Sequence, residues 1–326
     1  MMKMLRGLLI TLLLLMLSGA FAVLWLNEQF NLPHKIPAAV EVQIPRGAGL
    51  KKTAALLAER KVIAQERLFE FYMRVYGLAG RIKAGEYAFS GEVSVAEAAR
   101  IVTGGEVIVR SVTIPEGRSL AQIKQILNEN PYLNGEITVA IKEGDVLPET
   151  YHFSRGESRN SILLKAKQAM RTALAEAFAG KDEALPLQSA EELLILASIV
   201  EKETGLASER GKVASVFANR LKLGMKLQTD PTVIYALTKG EKPLGRPLYR
   251  RDLQVDSPYN TYLYAGLPPA PICSPGREAI RAAARPDKTK YLYFVADGIS
   301  GGHRFAKSLA EHNKNVALYR KQIRRK

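Results

Sequence analysis

The chain has 326 residues, enough for one large domain or two modest ones. With 47 % hydrophobic and 24 % charged residues it is neither disordered, collagenous nor low in complexity. An excess of 47 Lys and Arg over 32 Asp and Glu leaves a net charge of +15, which points to an anionic partner: nucleic acid, phospholipid headgroups or an acidic wall polymer. The single cysteine, Cys273, excludes an internal disulfide and the cysteine pairs that structural zinc or Cys-x-x-Cys redox chemistry require.

In chain order, Lys3 and Arg6 precede an uncharged run from Leu8 to Leu26, long enough to cross the hydrocarbon of a bilayer as a helix. Positive charge before the run and none directly after it places residues 1–7 in the cytoplasm and sends the body outward. A cleaved signal peptide is the competing reading, since Ala20-Phe21-Ala22 has small residues at cleavage spacing; the run continues through Trp25 and Leu26, which favours an anchor over 8–26. In either case the body is exported, so nucleic acid is not expected as a partner, and the positive charge suits an anionic bilayer or a carboxylate-bearing wall. Residues 27–39, with Pro33 and Pro37 and no periodicity, read as a short stalk.

The body contains an echo. Val42-Gln43-Ile44-Pro45-Arg46-Gly47, followed by Leu50 and Leu57, returns as Val112-Thr113-Ile114-Pro115-Glu116-Gly117, followed by Leu120 and Leu127. Each copy predicts an alternating strand, a Pro-x-Gly turn and an amphipathic helix. Between the copies, Glu66–Tyr76 reads as helix, Gly85–Phe89 as strand, and Ser94–Thr103 as a helix opened by a Ser94/Glu97 capping box. The strand, turn, helix, helix, strand order with its Ile-Pro-x-Gly start resembles LysM-like glycan-binding modules, which implies a shallow groove for N-acetylglucosamine chains over residues 40–110. The second copy, opening the domain 111–326, reads as packing only.

The richest stretch begins at Ser189, a capping box with Glu192. It continues as the apolar run Leu193–Val200 and then Glu201-Lys202-Glu203-Thr204-Gly205, where Gly205 suits a helix stop. A helix apolar nearly all round is buried. Glu201 then lies above Ala197 and Leu194, where desolvation favours the protonated carboxyl of a general acid. Glu203 stacks in the same way on Ile199 and Leu196, and periodicity leaves the two open. A solvated helix end paired with Lys202 or Arg210 is the bland alternative.

The segment LASIVEKETGLASERGKVASVFANRLKLGMKLQTDPTVIYAL (residues 196–237) resembles the signature of the YceG-like family of membrane-anchored endolytic murein transglycosylases. LPETYHF (147–153), YNTYLYAGLPPAPICSPG (259–276) and ARPDKTKYLYFVADGISGGHRFAKSLAEHNKNV (284–316) match in the same way. The resemblance implies that the first Glu of EKET, Glu201, is the catalytic acid. It also implies cleavage of the MurNAc–GlcNAc β-1,4 bond without water, leaving a 1,6-anhydro end and terminating strand growth. The family pattern FPDTY is here Leu147-Pro148-Glu149-Thr150-Tyr151, one methylene longer at Glu149.

Other polar positions are candidates for substrate contact: Gln228 and Asp230 on a loop ahead of an apolar run, and Asn260 with Tyr262, an amide and an aromatic suited to sugar faces. The alternative for Asp230 before Pro231 is a turn or N-cap, and for Asn260 a structural loop. Glu209 and Arg210 are expected to pair within the fold, Gly266–Pro269 and Ser274–Gly276 to form rigid loops walling the cleft, and Ser274 with Glu278 to open a helix. The four histidines have no HExxH or Cys/His grouping, so neither metal nor cofactor is expected, and His303 reads as a fold-stabilising donor. The basic run Tyr319–Lys326 reads as a solvated helix end. Taken together, the sequence predicts an α+β protein with an N-terminal transmembrane helix, a small LysM-like α/β module and a larger mixed α/β catalytic domain. Its expected partners are glycan strands of peptidoglycan and the cytoplasmic (inner) membrane. The alternatives are a non-catalytic murein-binding adaptor that recruits cell-wall synthases (penicillin-binding proteins), and a hydrolytic muramidase.

Overall fold

A computed structural model describes residues 2–324; Met1 and the end of the basic run, Arg325 and Lys326, lie outside the described residues, as do the side chains of Met2 and Lys3. The chain divides into two compact units, Met1–Arg110 and Ser111–Lys326, in a mixed helix and sheet architecture.

The first unit opens with α1 (Met2–Asn31), one unbroken helix whose span from Met4 is long and apolar enough to cross a membrane and is uncovered by the rest of the chain. Its last turn behaves differently. Phe30 is buried, with ring centroids of Tyr72 and Phe71 at 5.0 and 6.1 Å. The expected free stalk is therefore absent: the helix runs to Asn31, and Phe30 and Ile36 join the core of the unit. Residues His34–Lys35 form β1, whose partner is Glu92–Val93. Apolar side chains at positions 30 and 36 have a surface to bury against, and that burial outweighs the loop tendency of the two prolines.

The echoed segment forms β2 (Val40–Ile44), α2 (Leu50–Glu59) and α3 (Glu66–Val75), then β3 (Gly85–Phe89), which pairs antiparallel with β2 and sets Val42 opposite Tyr87. β4 (Glu92–Val93) and α4 (Val95–Gly104) complete the unit. Val42, Ile44, Leu57, Phe69, Met73, Tyr87 and Phe89 make its dry centre. The Ser94 hydroxyl accepts from the Glu97 N–H (3.1 Å) as expected for a cap. Glu97 itself turns to Arg100 at 3.8 Å, so only half of the expected box forms.

The second unit starts its own sheet with β5 (Arg110–Thr113) against β6 (Thr150–Phe153). The echoed turn leads into α5 (Leu120–Glu129), which carries a complete Ser119/Gln122 capping box. Around it pack α6 (Arg159–Ala179), α7 (Ala190–Glu203), α8 (Ala207–Lys222), α9 (Asp230–Thr238) and α10 (Arg277–Ala284), followed by the hairpin β7 (Tyr293–Ala296)–β8 (His303–Ala306) and α11 (Leu309–Ile323). α7 is the hub, touching α6, α8, α9 and α10, with every residue from Leu193 to Val200 buried. Each such Leu, Ile or Val side chain contributes about 1.5–3 kcal/mol of transfer free energy. Ser198, the polar member of the run, donates to Ile195 O (2.7 Å) and accepts from Ile272 N–H (3.1 Å), which ties the helix to the 272–276 segment.

The ends of α7 depart from expectation in two details. Ser189 caps Glu192 N–H at 3.2 Å, but the Glu192 carboxylate takes the Gln188 N–H (2.6 Å) in place of that of Ser189. The stop is made by Thr204 in extended conformation, whose N–H still reaches Val200 O; Gly205 does not adopt the left-handed conformation.

Candidate active site

Glu201 sits in the last turn of α7, where the buried run meets the surface. The second Ile-Pro-x-Gly turn is laid across it. Gly117, in a left-handed conformation (φ +70°) that a side chain adopts at a cost of about 1 kcal/mol or more, donates its N–H to Ser274 O (3.0 Å). Ser274 N–H returns a bond to Arg118 O (2.9 Å), and Lys202 Nζ reaches Gly117 O at 3.4 Å. This zipper brings Gly276 against Glu201, and the Gly276 N–H donates to Glu201 Oε2 at 3.0 Å. A Cβ at position 276 collides with the Glu116 carboxylate, so any side chain there displaces Glu116 from its place beside Glu201.

The result is an open groove of about 440 Å³, within the range of natural ligand sites. Glu201, Glu116, Gln122 and Lys242 supply its polar wall, and Ile234, Tyr235 and Ile272 its apolar one. Tyr235 is braced from behind by Glu143, which also takes the Leu120 N–H at 2.9 Å.

Burial is the largest influence on Glu201 and raises its pKa above the ordinary 4.5. The Gly276 N–H opposes this, the neighbouring Glu116 charge raises it further, and Arg210 and Lys202 pull it down. A carboxyl group held toward its neutral form, beside a groove and fixed by one backbone donor, can give up a proton and accept one back.

The other sequence candidates separate from Glu201. Gln228, Asp230 and Tyr262 gather with Glu203 and Arg220 around a smaller cavity of about 190 Å³. There Tyr262 OH donates to Asp230 Oδ1 (2.6 Å), and Thr229 OH donates to the Glu203 carboxylate. Burial raises the pKa of Glu203 too, but this carboxyl is engaged in holding the start of α9. Asp230 is the first residue of α9 and its N-cap is Thr229, so Asp230 is not the cap itself. Asn260 is fully buried: Nδ2 donates to Leu253 O (3.0 Å) and Val255 O (2.9 Å), and Oδ1 accepts from Tyr262 N–H. It reaches no groove, and its amide shapes the loop that presents Tyr262.

Three smaller expectations are also corrected in whole or in part. Glu209 pairs within the fold: its carboxylate takes the His303 N–H (3.0 Å) and Nδ1 (2.8 Å), because the β7–β8 hairpin folds back onto α8, whereas Arg210 Nε finds no acceptor among the described residues. Ser274 does not open α10, whose N-cap is Gly276, and Glu278 pairs with Arg281 at 2.6 Å. Of the two proposed walls, Ser274–Gly276 adjoins Glu201, while Gly266–Pro269 is not among the residues lining the groove.

Sequence reasoning missed Glu116, and it placed Gly276 in a cleft wall without its role as the donor to Glu201. The signal for Glu116 was present in the echo, since the equivalent turn position in the first copy is Arg46, and a charge inverted within an otherwise repeated turn marks a different task. Nothing local marks Gly276, which acts across a separation of 75 residues.

The fold and groove together define a site in which a carboxyl of raised pKa stands at a buried helix end over an open groove, with the Glu116 carboxyl beside it. Residues 42–318 match the profile of the YceG-like family, and the chain belongs to that family. It is 33 % identical over 311 residues to a Bacillus subtilis protein named endolytic murein transglycosylase, covering 86 % of this chain and 84 % of the relative. A Streptococcus pneumoniae protein of the same name is 29 % identical over 85 % of this chain, which spans 58 % of that longer relative. Among solved structures it is similar to a YceG-like protein from Listeria monocytogenes, with TM-score 0.52 and 31 % identity over 85 % of this chain and 98 % of that one.

Proposed function

We propose that this protein is a peptidoglycan transglycosylase, a lyase that cuts glycan strands internally with Glu201 as its acid and base. The observation that carries this reading is the half-buried Glu201 carboxyl, raised in pKa and hydrogen-bonded to Gly276, facing a groove wide enough for sugar rings. Relatives that bear the name endolytic murein transglycosylase support it.

In the mechanism, Glu201 donates its proton to the bridging oxygen and the C1–O bond of the muramyl residue breaks, so that positive charge develops at C1. The C6 hydroxyl of the same sugar closes on C1 and its proton passes to the Glu201 carboxylate, which restores the acid and leaves a 1,6-anhydro end. Two-carboxylate glycosidases need a second group to activate water or attack C1. Here the nucleophile is intramolecular, and effective molarities of about 10⁵ M or more allow geometry to replace that group. Glu116 lacks a role as nucleophile in this scheme; its charge adds to the rise in the Glu201 pKa and stabilises the cationic transition state.

The uncovered apolar helix α1 supports a single-pass anchor with the body outside the cytoplasmic membrane, and the same placement supports action on nascent strands and control of their length. The β2–α2–α3–β3 order of the first unit supports a glycan-holding role of the LysM-like kind. Gln228, Asp230 and Tyr262 are assigned to the flank of the groove, where the Tyr262–Asp230 bond holds the first turn of α9 whose Pro231 and Ile234 line it.

A hydrolytic muramidase is the second reading, favoured by one observation, the presence of Glu116 in the same groove as Glu201. Digestion of glycan strands in heavy-oxygen water separates the two. Anhydro ends free of label are expected; labelled reducing ends would replace the lyase reading with hydrolysis.

Cleavage requires protonated Glu201, so the rate falls as pH rises through its raised pKa, and the alkaline limb lies above the ordinary carboxyl value of 4.5. Glu116→Gln removes a like charge, stabilises the ionised form of Glu201 and moves that limb to lower pH. A pH–kcat/KM profile of the two proteins checks the direction.

A further inference from the structure

The second unit also holds a cavity of about 510 Å³, separate from the groove at Glu201. It opens between α6, α8 and α10 on the other side of the Gly276–Arg277 junction, and Arg210, Arg277, Arg281 and Arg285 line it. Three of these have partners. Arg277 lies 3.5 Å from Glu149, Arg281 is 2.6 Å from Glu278, and Arg285 Nε donates to Gly180 O at 2.6 Å.

Arg210 differs: its Nε is sealed from solvent with no hydrogen-bond acceptor among the described residues, and its charge acts on Glu201 without a direct ion pair. A guanidinium left in that state costs free energy that an incoming acceptor recovers. The floor beneath it is built of small apolar residues, with Ala173, Ile280 and Ala284 buried, and the glutamates Glu176 and Glu278 stand at its rim.

We infer that this cavity binds a carboxylate of the peptide stem carried by a peptidoglycan strand while the sugar chain lies in the groove at Glu201. The inference rests on the murein reading above and deepens it by naming peptide-bearing strands as the substrate class. Four arginines favour an oxyanion, and a planar carboxylate can take the Arg210 fork in two parallel bonds. The mixed sign of the lining decides between oxyanions. Two glutamates repel a multiply charged phosphate but suit a zwitterionic peptide, whose amino group they can take, and the alanine floor suits alanyl methyl groups. The junction also ties the two sites together: Gly276 donates to Glu201, and the next residue, Arg277, lines the cavity.

The test uses the full chain in detergent micelles and a free tetrapeptide stem without sugar, titrated by calorimetry. Wild type is expected to bind it saturably, and Arg210→Gln with Arg281→Gln to weaken binding tenfold or more. Arg281→Gln alone, which leaves Arg210 and its effect on Glu201 in place, is expected to cut peptide-stripped strands within about threefold of wild type while losing preference for peptide-bearing strands. Circular dichroism and melting verify that the variants fold, and Arg210→Lys, which keeps the charge without the fork, is expected to bind at an intermediate level. No binding of the peptide by wild type, or undiminished binding by the double variant, overturns the inference. Arginine-dependent binding of inorganic pyrophosphate but not of peptide also overturns it, in favour of a phosphate site. Peptide binding that depends on the arginines in a protein that cuts no strand would leave this site standing and remove the transglycosylase reading.

Discussion

Glu201→Gln lowers strand cleavage by about 10²–10⁴-fold, the contribution typical of a positioned general acid and base. The glutamine carbonyl still accepts the Gly276 N–H, so the groove keeps its shape. The same substitution raises thermal stability near neutral pH. A carboxyl whose pKa is higher in the folded than in the unfolded chain binds protons more tightly when folded, so the ionised group lowers stability once pH exceeds its folded pKa. That penalty fades as pH falls toward the unfolded value near 4.5. Glutamine removes it, and the gain is modest because the group is partly open to solvent: about 1 kcal/mol or less, or about 2–4 °C for a unit of this size. Melting curves at pH 7 and pH 4 for the two proteins are expected to differ at the first and converge at the second. Glu203→Ala provides the contrast: it removes the acceptor that holds Thr229 at the start of α9, so substitution is expected to lower stability more than it lowers the rate per folded molecule. Equal activity of Glu201→Gln and wild type would refute the assignment of the acid.

Arg220→Leu destabilises the second unit by about 3–5 kcal/mol. Arg220 is 8 % exposed, and its guanidinium binds three backbone carbonyls, those of Leu292 (2.7 Å), Leu227 (2.8 Å) and Lys226 (3.2 Å). A leucine fills part of the volume and answers none of them, and each buried acceptor left without a donor costs about 1–3 kcal/mol. The melting temperature is expected to fall by about 10 °C or more. Arg220→Lys retains the charge but not the fork, so most of the loss remains. The damage is directional, because Lys226 and Leu227 lead into Gln228, whose backbone is held left-handed at φ +50°, and then into α9 along the groove. Chemical denaturation of both variants measures the effect, and a loss below about 1 kcal/mol would show that water satisfies those carbonyls.

The legible parts of the molecule are those set by neighbours in sequence. The turn glycines at 47 and 117, the caps at Ser94 and Ser189, the apolar run of α7 and the position of Glu201 at its end all follow from local rules. What escaped was set across long separations. Gly276 and Glu116 meet Glu201 only because the 117–118 and 274 backbones pair. Asn260 has the chemistry of a sugar ligand, yet three backbone groups within seven residues claim it first. Periodicity ranked Glu201 and Glu203 alike. They differ because one faces an open channel and the other faces Thr229, and α9 decides that.

The final turn of α1 carries a mechanical consequence. With Leu8–Leu26 spanning the hydrocarbon, only Asn27, Glu28 and Gln29, about 6 Å of helix, lie between the bilayer boundary and Phe30. Phe30 is part of the dry interior of the first unit. The rod and that unit thus move as one stiff piece with no swivel between them, and the unit can lean only as far as the rod tilts in the lipid. The height of the first unit above the headgroups is then set by the rod, not by a flexible tether.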